Sequence, residues 1–215
     1  MTLFGIVISW KNTINLICLI SLAYFSYLMI LITLQYVPIK LDVAFLKIKT
    51  DEISQLHYQI AFFSHVYSSI FVLILGIFQF SAFVRTKFTH SHKLMGKFYI
   101  ALILFLAGPS GLIMGYYANG GLVAKVSFCL LAVLWIVFTY KAYKHAINKD
   151  WKKHRNFMSR SYALTLSAIS LRLFKWIIVT LFEFPPMDTY IIVAWLGWVL
   201  NWAIVELVIL TKNIS

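Results

Sequence analysis

Acidic side chains are scarce here: seven among 215 residues, against 19 lysines and arginines. Cysteine is rarer, at two. Cys18 and Cys129 both fall inside apolar runs and read as packing residues, not as a disulfide or metal pair. No polar run is long enough to fold alone, which argues against a separate soluble domain. A nucleophile elbow is missing, and with it the main support for a Ser-His-Asp hydrolase. There is no internal repeat and no low-complexity stretch. The opening residues, 1–11, lack a basic region and a small-residue cleavage site, so they are expected to be an uncleaved interfacial lead-in and not a signal peptide.

What is abundant is apolar surface. The chain is 61% hydrophobic and 12% charged, and its mean hydropathy is +0.84. A soluble domain is nearer half apolar and a quarter charged, so the class is a polytopic membrane protein. A helical span needs about 20 mostly apolar residues. Six stretches qualify, at residues 15–37, 57–84, 98–118, 122–143, 161–182 and 190–210. The expected fold is all-α: one membrane domain, residues 1–215, built as a six-helix transmembrane bundle. The formal charge of +12 would suggest nucleic acid in a soluble protein. Here the bases sit in short loops between spans, so orientation and anionic lipid account for them and no nucleic-acid partner is expected. Lys11, residues 85–97, residues 141–160 and Lys212 carry the basic excess on one side. The positive-inside rule then places both termini in the cytoplasm. Residues 38–56 form the one sizeable external loop, with an amphipathic piece at 43–49.

Polar residues inside apolar spans are costly unless they face protein or water. In the fifth span, His154, Met158, Ser161, Thr165, Ala168 and Arg172 recur at spacings of three and four, one face of a helix running unbroken from His154 to Arg172. In the second span His65, Ser69, Gly76 and Gln79 share a face. Counting 1.5 Å per residue puts His65, Arg172 and Asn201 at nearly one depth, with Glu206 and Gln79 nearer the cytoplasm. A buried polar layer of these five residues is one expectation, and a packing clamp around Arg172 is the plainer one. Pro109, within Ala107-Gly108-Pro109-Ser110-Gly111, is expected to kink or break the third span.

Four of the six histidines lie in the inner loops: His90, His92, His145 and His154. His92 shares a face with Gly96, Tyr99 and Ser110, and His154 starts the polar face of the fifth span. Two imidazoles on facing helices can ligate a haem iron axially. Zinc would want four ligands, and only Asp150 is nearby. Capping of helices or binding of lipid headgroups is the competing reading of the same histidines.

The pieces also form a recognisable set. They are His65 and the run to Phe80; Arg85, His92-Lys93, Gly96 and Tyr99; Gly120-Gly121; and Leu134-Trp135. The set continues with His154-Arg155, Met158 and Arg160 to Thr165, then Leu171-Arg172-Leu173, Trp198, Asn201 and Glu206. On these residues the chain resembles a family of uncharacterised bacterial polytopic membrane proteins, over about two-thirds of its length. The resemblance implies a bacterial cytoplasmic (inner) membrane bundle and no established activity. Two departures stand out: Lys93 where the family tends to Arg, and Ile77 where Pro is usual. A looser similarity, to dihaem cytochrome b bundles, rests on helix count and paired histidines.

Three functions are compatible with these observations. One is a membrane oxidoreductase holding a b-type haem between His92 and His154 and exchanging electrons with quinone or a redox partner. The second is a small transporter or sensor with a midplane site at His65, Arg172 and Asn201. The third is a scaffold without chemistry.

Overall fold

Periodic apolar helices dominate the structure, a computed structural model that describes residues 2–3, 6–7 and 10–214. The lead-in, residues 1–11, lies partly outside the described residues; two short strands, β1 (Thr2–Leu3) and β2 (Ile6–Val7), pair antiparallel within it, and its last residues begin the first helix. Six helical stretches are long and apolar enough to cross a membrane: Thr13–Leu34, Leu56–Phe80, Thr89–Tyr116, Gly121–Ile147, Trp151–Phe182 and Pro186–Lys212. They comprise α1 (Trp10–Leu34), α2 (Leu56–Phe80), α4 (Thr89–Leu102) with α5 (Gly108–Tyr116), α6 (Gly121–Ile147), α7 (Trp151–Thr165) with α8 (Ser167–Phe182), and α9 (Pro186–Ile214). A short helix, α3 (Ala82–Lys87), lies between α2 and α4.

All six expected spans are present, but several ends move. The third begins at Thr89 and the fifth at Trp151, well before the apolar residues do. Their basic first two turns, 89–97 and 151–158, are helical because Lys, Arg, Leu and Met are good helix formers and one side of each packs inward. The second ends at Phe80, earlier than the apolar run suggests. There Ser81 turns the chain, and its hydroxyl accepts from the Val84 amide at 3.3 Å to start α3.

The third span is broken where Pro109 demands it. Proline has no N–H to give to the preceding turn, so Ile103–Ala107 winds as a π segment between α4 and α5. The fifth span is not the unbroken helix that its spacing suggests. It starts after a real turn: Lys149 adopts a positive φ, and Asp150 caps α7 by accepting from the Lys153 amide at 3.1 Å. It breaks again at Leu166. Thr165 Oγ1 donates back to the Ser161 carbonyl at 3.1 Å and Ser167 Oγ to that of Leu164 at 2.6 Å, the local competition that bends helices.

Helices α2, α4, α6 and α7 form a ring in which neighbours pack side by side, while α4 faces α7 and α2 faces α6 across the middle. Val72, Tyr99, Ile103, Trp135, Phe138, Ala142, Met158 and Tyr162 fill that interior. Opposite the basic end, the loop between α1 and α2 is pinned by Lys49, which is 1% exposed. Its ammonium donates to Glu52 at 3.0 Å, to Asn119 Oδ1 at 2.5 Å and to the Tyr117 carbonyl at the end of α5. Burial works against an ionised Glu52, but the bond from Lys49, a backbone hydrogen bond and the charges of Lys49 and Lys125 together outweigh it and hold the carboxyl below its ordinary value.

Close packing at Gly76 is testable. A β-carbon there would sit 2.0 Å from Cε2 of Tyr162, whose hydroxyl donates to the Leu73 carbonyl at 3.3 Å. Gly76→Ala is expected to lower stability by about 1–3 kcal/mol, read as a lower Tm of the detergent-solubilised protein.

The Asp150 cap is testable by pH. The Lys153 amide, then the Lys153 ammonium, hold its carboxyl below the ordinary value. A depressed value means stabilisation that is present at neutral pH and lost as pH falls through the folded-state value. Hydrogen exchange, corrected for the intrinsic rate, should show the first turn of α7 opening as pH drops into the carboxylate range, and already open at neutral pH in Asp150→Ala.

Candidate functional site

The five residues expected in one polar layer separate into four places. Asn201, on α9, clamps the break between α7 and α8. Its amide nitrogen donates to the Ala163 carbonyl at 3.2 Å and its oxygen accepts from Ser170 Oγ at 3.0 Å. The break leaves backbone and hydroxyl groups in need of partners at membrane depth, and Asn201 supplies them. Glu206 does not reach Arg172. It takes a bidentate pair from Arg160, Nε to Oε1 at 2.6 Å and Nη2 to Oε2 at 2.8 Å, and a third bond from Trp202 Nε1 at 2.7 Å. Gln79 lies at the basic end, where its amide donates to the His92 carbonyl at 3.2 Å.

His65 and Arg172 remain as neighbours. His65 Nδ1 bonds the Ala107 carbonyl at 2.9 Å, an acceptor the π segment presents, and the ring stands edge-on to Trp135. The Arg172 guanidinium is near enough for its charge to act on His65 and on Tyr36. It is nevertheless exposed, and its one hydrogen bond runs to the Ala168 carbonyl of its own helix at 2.8 Å. The bend at Leu166 is the reason: past it, α8 packs on α9 and only slightly on α1 and α7, so Arg172 leaves the line that Ser161 and Thr165 follow into the core.

At the basic end stand the two histidines expected to pair. His92 on α4 and His154 on α7 are close enough to interact electrostatically, with Arg85 beside His92. His154 Nδ1 lies 2.9 Å from the Ala142 carbonyl. A carbonyl only accepts, so Nδ1 carries the proton and Nε2 keeps a free lone pair. That is the arrangement by which a second partner orients a ligating imidazole. His92 Nδ1 is buried and has no hydrogen-bond partner. The other inner histidines point elsewhere: His90 is exposed, and His145 stacks on Phe157 at 5.4 Å and lies 3.7 Å from Asp150.

The donor set decides which groups fit. Among the described residues no cluster of three or more His, Cys, Asp or Glu is able to hold a metal ion, and both cysteines are free. A four-ligand zinc centre therefore has too few donors. A porphyrin brings four nitrogens of its own and asks the protein for two, and an imidazole on each of two facing helices matches that demand.

Sequence reasoning missed the most buried polar group in the bundle. Tyr99, fully buried, bonds Ser161 Oγ at 3.0 Å and Thr165 Oγ1 at 3.1 Å. Thr139 joins Ser161 at 2.7 Å and Trp135 Nε1 donates to Thr165 at 3.1 Å. Ser161, Thr165 and Tyr99 each stood out on their own helices, but which helix they would meet was not readable. The Arg160–Glu206 pair had a signal: opposite charges, each within about 14 Å of the basic end of its span.

Residues 62–209 match the family model described as predicted membrane protein (DUF2306), so the chain is an integral membrane protein of that family, whose function is unassigned. No curated protein and no solved structure matches it. These comparisons give no support to the looser likeness to dihaem cytochromes.

The Arg160–Glu206 pair is open to a double-mutant cycle. Its side chains are 19% and 33% exposed. The coupling between Arg160→Met and Glu206→Gln is expected at about 1–3 kcal/mol in detergent unfolding, since a bidentate, partly desolvated pair exceeds an exposed one. A coupling near zero would remove this pair from the forces that hold α9 on α7.

Proposed function

We propose that this protein is a membrane electron carrier that holds one b-type haem between His92 and His154. What supports the reading is one arrangement: imidazoles on two helices that face each other across the ring, within electrostatic range, with the Nδ1 proton of the neutral His154 ring committed to Ala142. When bound, the haem supplies a reversible one-electron couple. The chain's own residues do the rest. His92 and His154 would hold the iron, Ala142 sets the His154 tautomer, and Arg85 would offer a cation for a propionate. Gln79 fixes the first turn of α4 through the His92 carbonyl. The basic loops favour a topology with both termini cytoplasmic, and the family resemblance favours the bacterial inner membrane. A membrane-soluble quinone is the natural exchange partner, because the bundle offers no soluble domain for docking.

Purified protein from cells supplied with haem should show a Soret band and a reducible alpha band, lost in both His92→Ala and His154→Ala and kept in His65→Ala. No such bands in the wild type, or bands indifferent to the first two substitutions, would refute the proposal. The midplane transport reading loses a member, because both ends of the Asn201 amide are engaged at the helix break.

A further inference from the structure

Along α7, between α2 and α9, runs an open groove of about 330 Å³. It is lined by Phe80 at the end of α2, by Ser159, Ala163 and Leu166 along α7, and by Asn201 and Val205 on α9. Helix α7 packs on both α2 and α9 and forms the floor between them. Phe80 stacks on Tyr162 at 5.1 Å and makes one wall. The polar groups here are already engaged. The Asn201 amide holds Ala163 and Ser170, and the Tyr162 hydroxyl donates to the Leu73 carbonyl. At membrane depth such a groove is filled by hydrocarbon, which asks for no hydrogen bond.

Both walls lead to a cation at the basic end. On α7, Arg155, Ser159, Ala163 and Leu166 recur at steps of four, four and three, one face of the helix. On α9, Asn201, Val205, Val208 and Lys212 recur at steps of four, three and four. The two helices run antiparallel, and the Arg160–Glu206 pair sets their register. Arg155 lies five residues before Arg160, and Lys212 six residues after Glu206. The two cations therefore differ in depth by only about 1.5 Å. Both are exposed, and none of the ion pairs among the described residues includes either. Arg160, the next cation inward, is already matched by Glu206.

The groove is one leaflet deep. From Arg155 to Leu166 is about 16 Å of helix, half of a hydrocarbon core about 30 Å thick. It stops there because the helix breaks at Leu166 and α8 packs onto α9 beyond it. We infer that the groove binds one anionic phospholipid, with an acyl chain along α7 from Ser159 to Leu166 and the phosphate between Arg155 and Lys212. A zwitterionic lipid brings the same phosphate but also an ammonium, which the two cations repel. A second copy of this chain in the same bilayer would set basic end against basic end, which like charge opposes. The site stands apart from His92 and His154 and is independent of the haem proposal.

The test is native mass spectrometry of the full chain released from detergent. It is titrated separately with dioleoylphosphatidylglycerol, dioleoylphosphatidylcholine and the short-chain dihexanoylphosphatidylglycerol. The wild type should take up one dioleoylphosphatidylglycerol ahead of the other two. Arg155→Gln combined with Lys212→Gln should weaken that first adduct about ten- to thirty-fold, the attraction of two cations to anionic lipid. Ser159→Phe fills the groove and leaves both cations in place, and should weaken it as well. Should that variant fail to fold by circular dichroism, Val205→Phe fills the groove from the other wall. Lys141→Gln combined with Lys144→Gln removes the same charge from α6. Lys141 lies 5.5 Å from the centre of the Phe157 ring, and Phe157 is about 200° around α7 from Arg155. This control should stay within about threefold of wild type, because screening weakens charges remote from the phosphate. Equal losses in the two double variants would mean diffuse attraction and overturn the site. So would equal uptake of the three lipids, or a first adduct indifferent to the groove-filling variants. A dimer that Ser159→Phe dissolves while lipid uptake stays unchanged would assign the groove to a second copy instead.

Discussion

The hydroxyl cluster of Tyr99, Thr139, Ser161 and Thr165 is the contact on which the bundle depends. Lipid tails are as apolar as leucine, so burying leucine between helices gains little in a membrane. What selects one arrangement is polar groups that only one arrangement satisfies. Tyr99 from α4, Thr139 and Trp135 from α6, and Ser161 and Thr165 from α7 bond one another within a region almost closed to the surroundings. Sliding any of the three helices by one turn would strand several of those groups in hydrocarbon. Small residues let the backbones close around it: Gly76 lies under Tyr162 and Gly108 against Ile136.

Two breaks give the bundle its shape. The π segment before Pro109 presents the Ala107 carbonyl to His65. The break at Leu166 sends α8 outward onto α9, and Asn201 holds it there by bridging Ala163 and Ser170. Irregular backbone at membrane depth is tolerated where protein satisfies it, and both breaks meet that condition. Their effect is to separate two polar regions along the fifth span. One, at His154, faces the ring interior; the other, at Arg172, faces an open flank.

That shape gives the functional proposals their form. A pair of imidazoles across a ring suits a cofactor that brings most of its own ligands, and an apolar groove that ends at the Leu166 break suits a single acyl chain. The tertiary positions of Glu206 and Asn201 give both a packing role. One neutralises Arg160 and fastens α9 to α7; the other supports a bent helix.

The six spans, the all-α class and the break at Pro109 were legible in the chain, because each follows from local quantities: the length of an apolar run or a missing amide proton. That His92 and His154 share one end of the bundle was also readable, since both begin spans that start on the same basic side. The partners of Glu206, Gln79 and Arg172 were not. Depth along a span can be counted from sequence, but rotation about the helix axis and the direction of a bend depend on which neighbour satisfies which polar group. The spacing of His154, Met158, Ser161, Thr165 and Arg172 describes one face only while the helix stays straight. At Leu166 it does not, and the serine and threonine bonds that bend it, with Asn201 from a distant helix, carried Arg172 away from the interior to which its spacing assigned it.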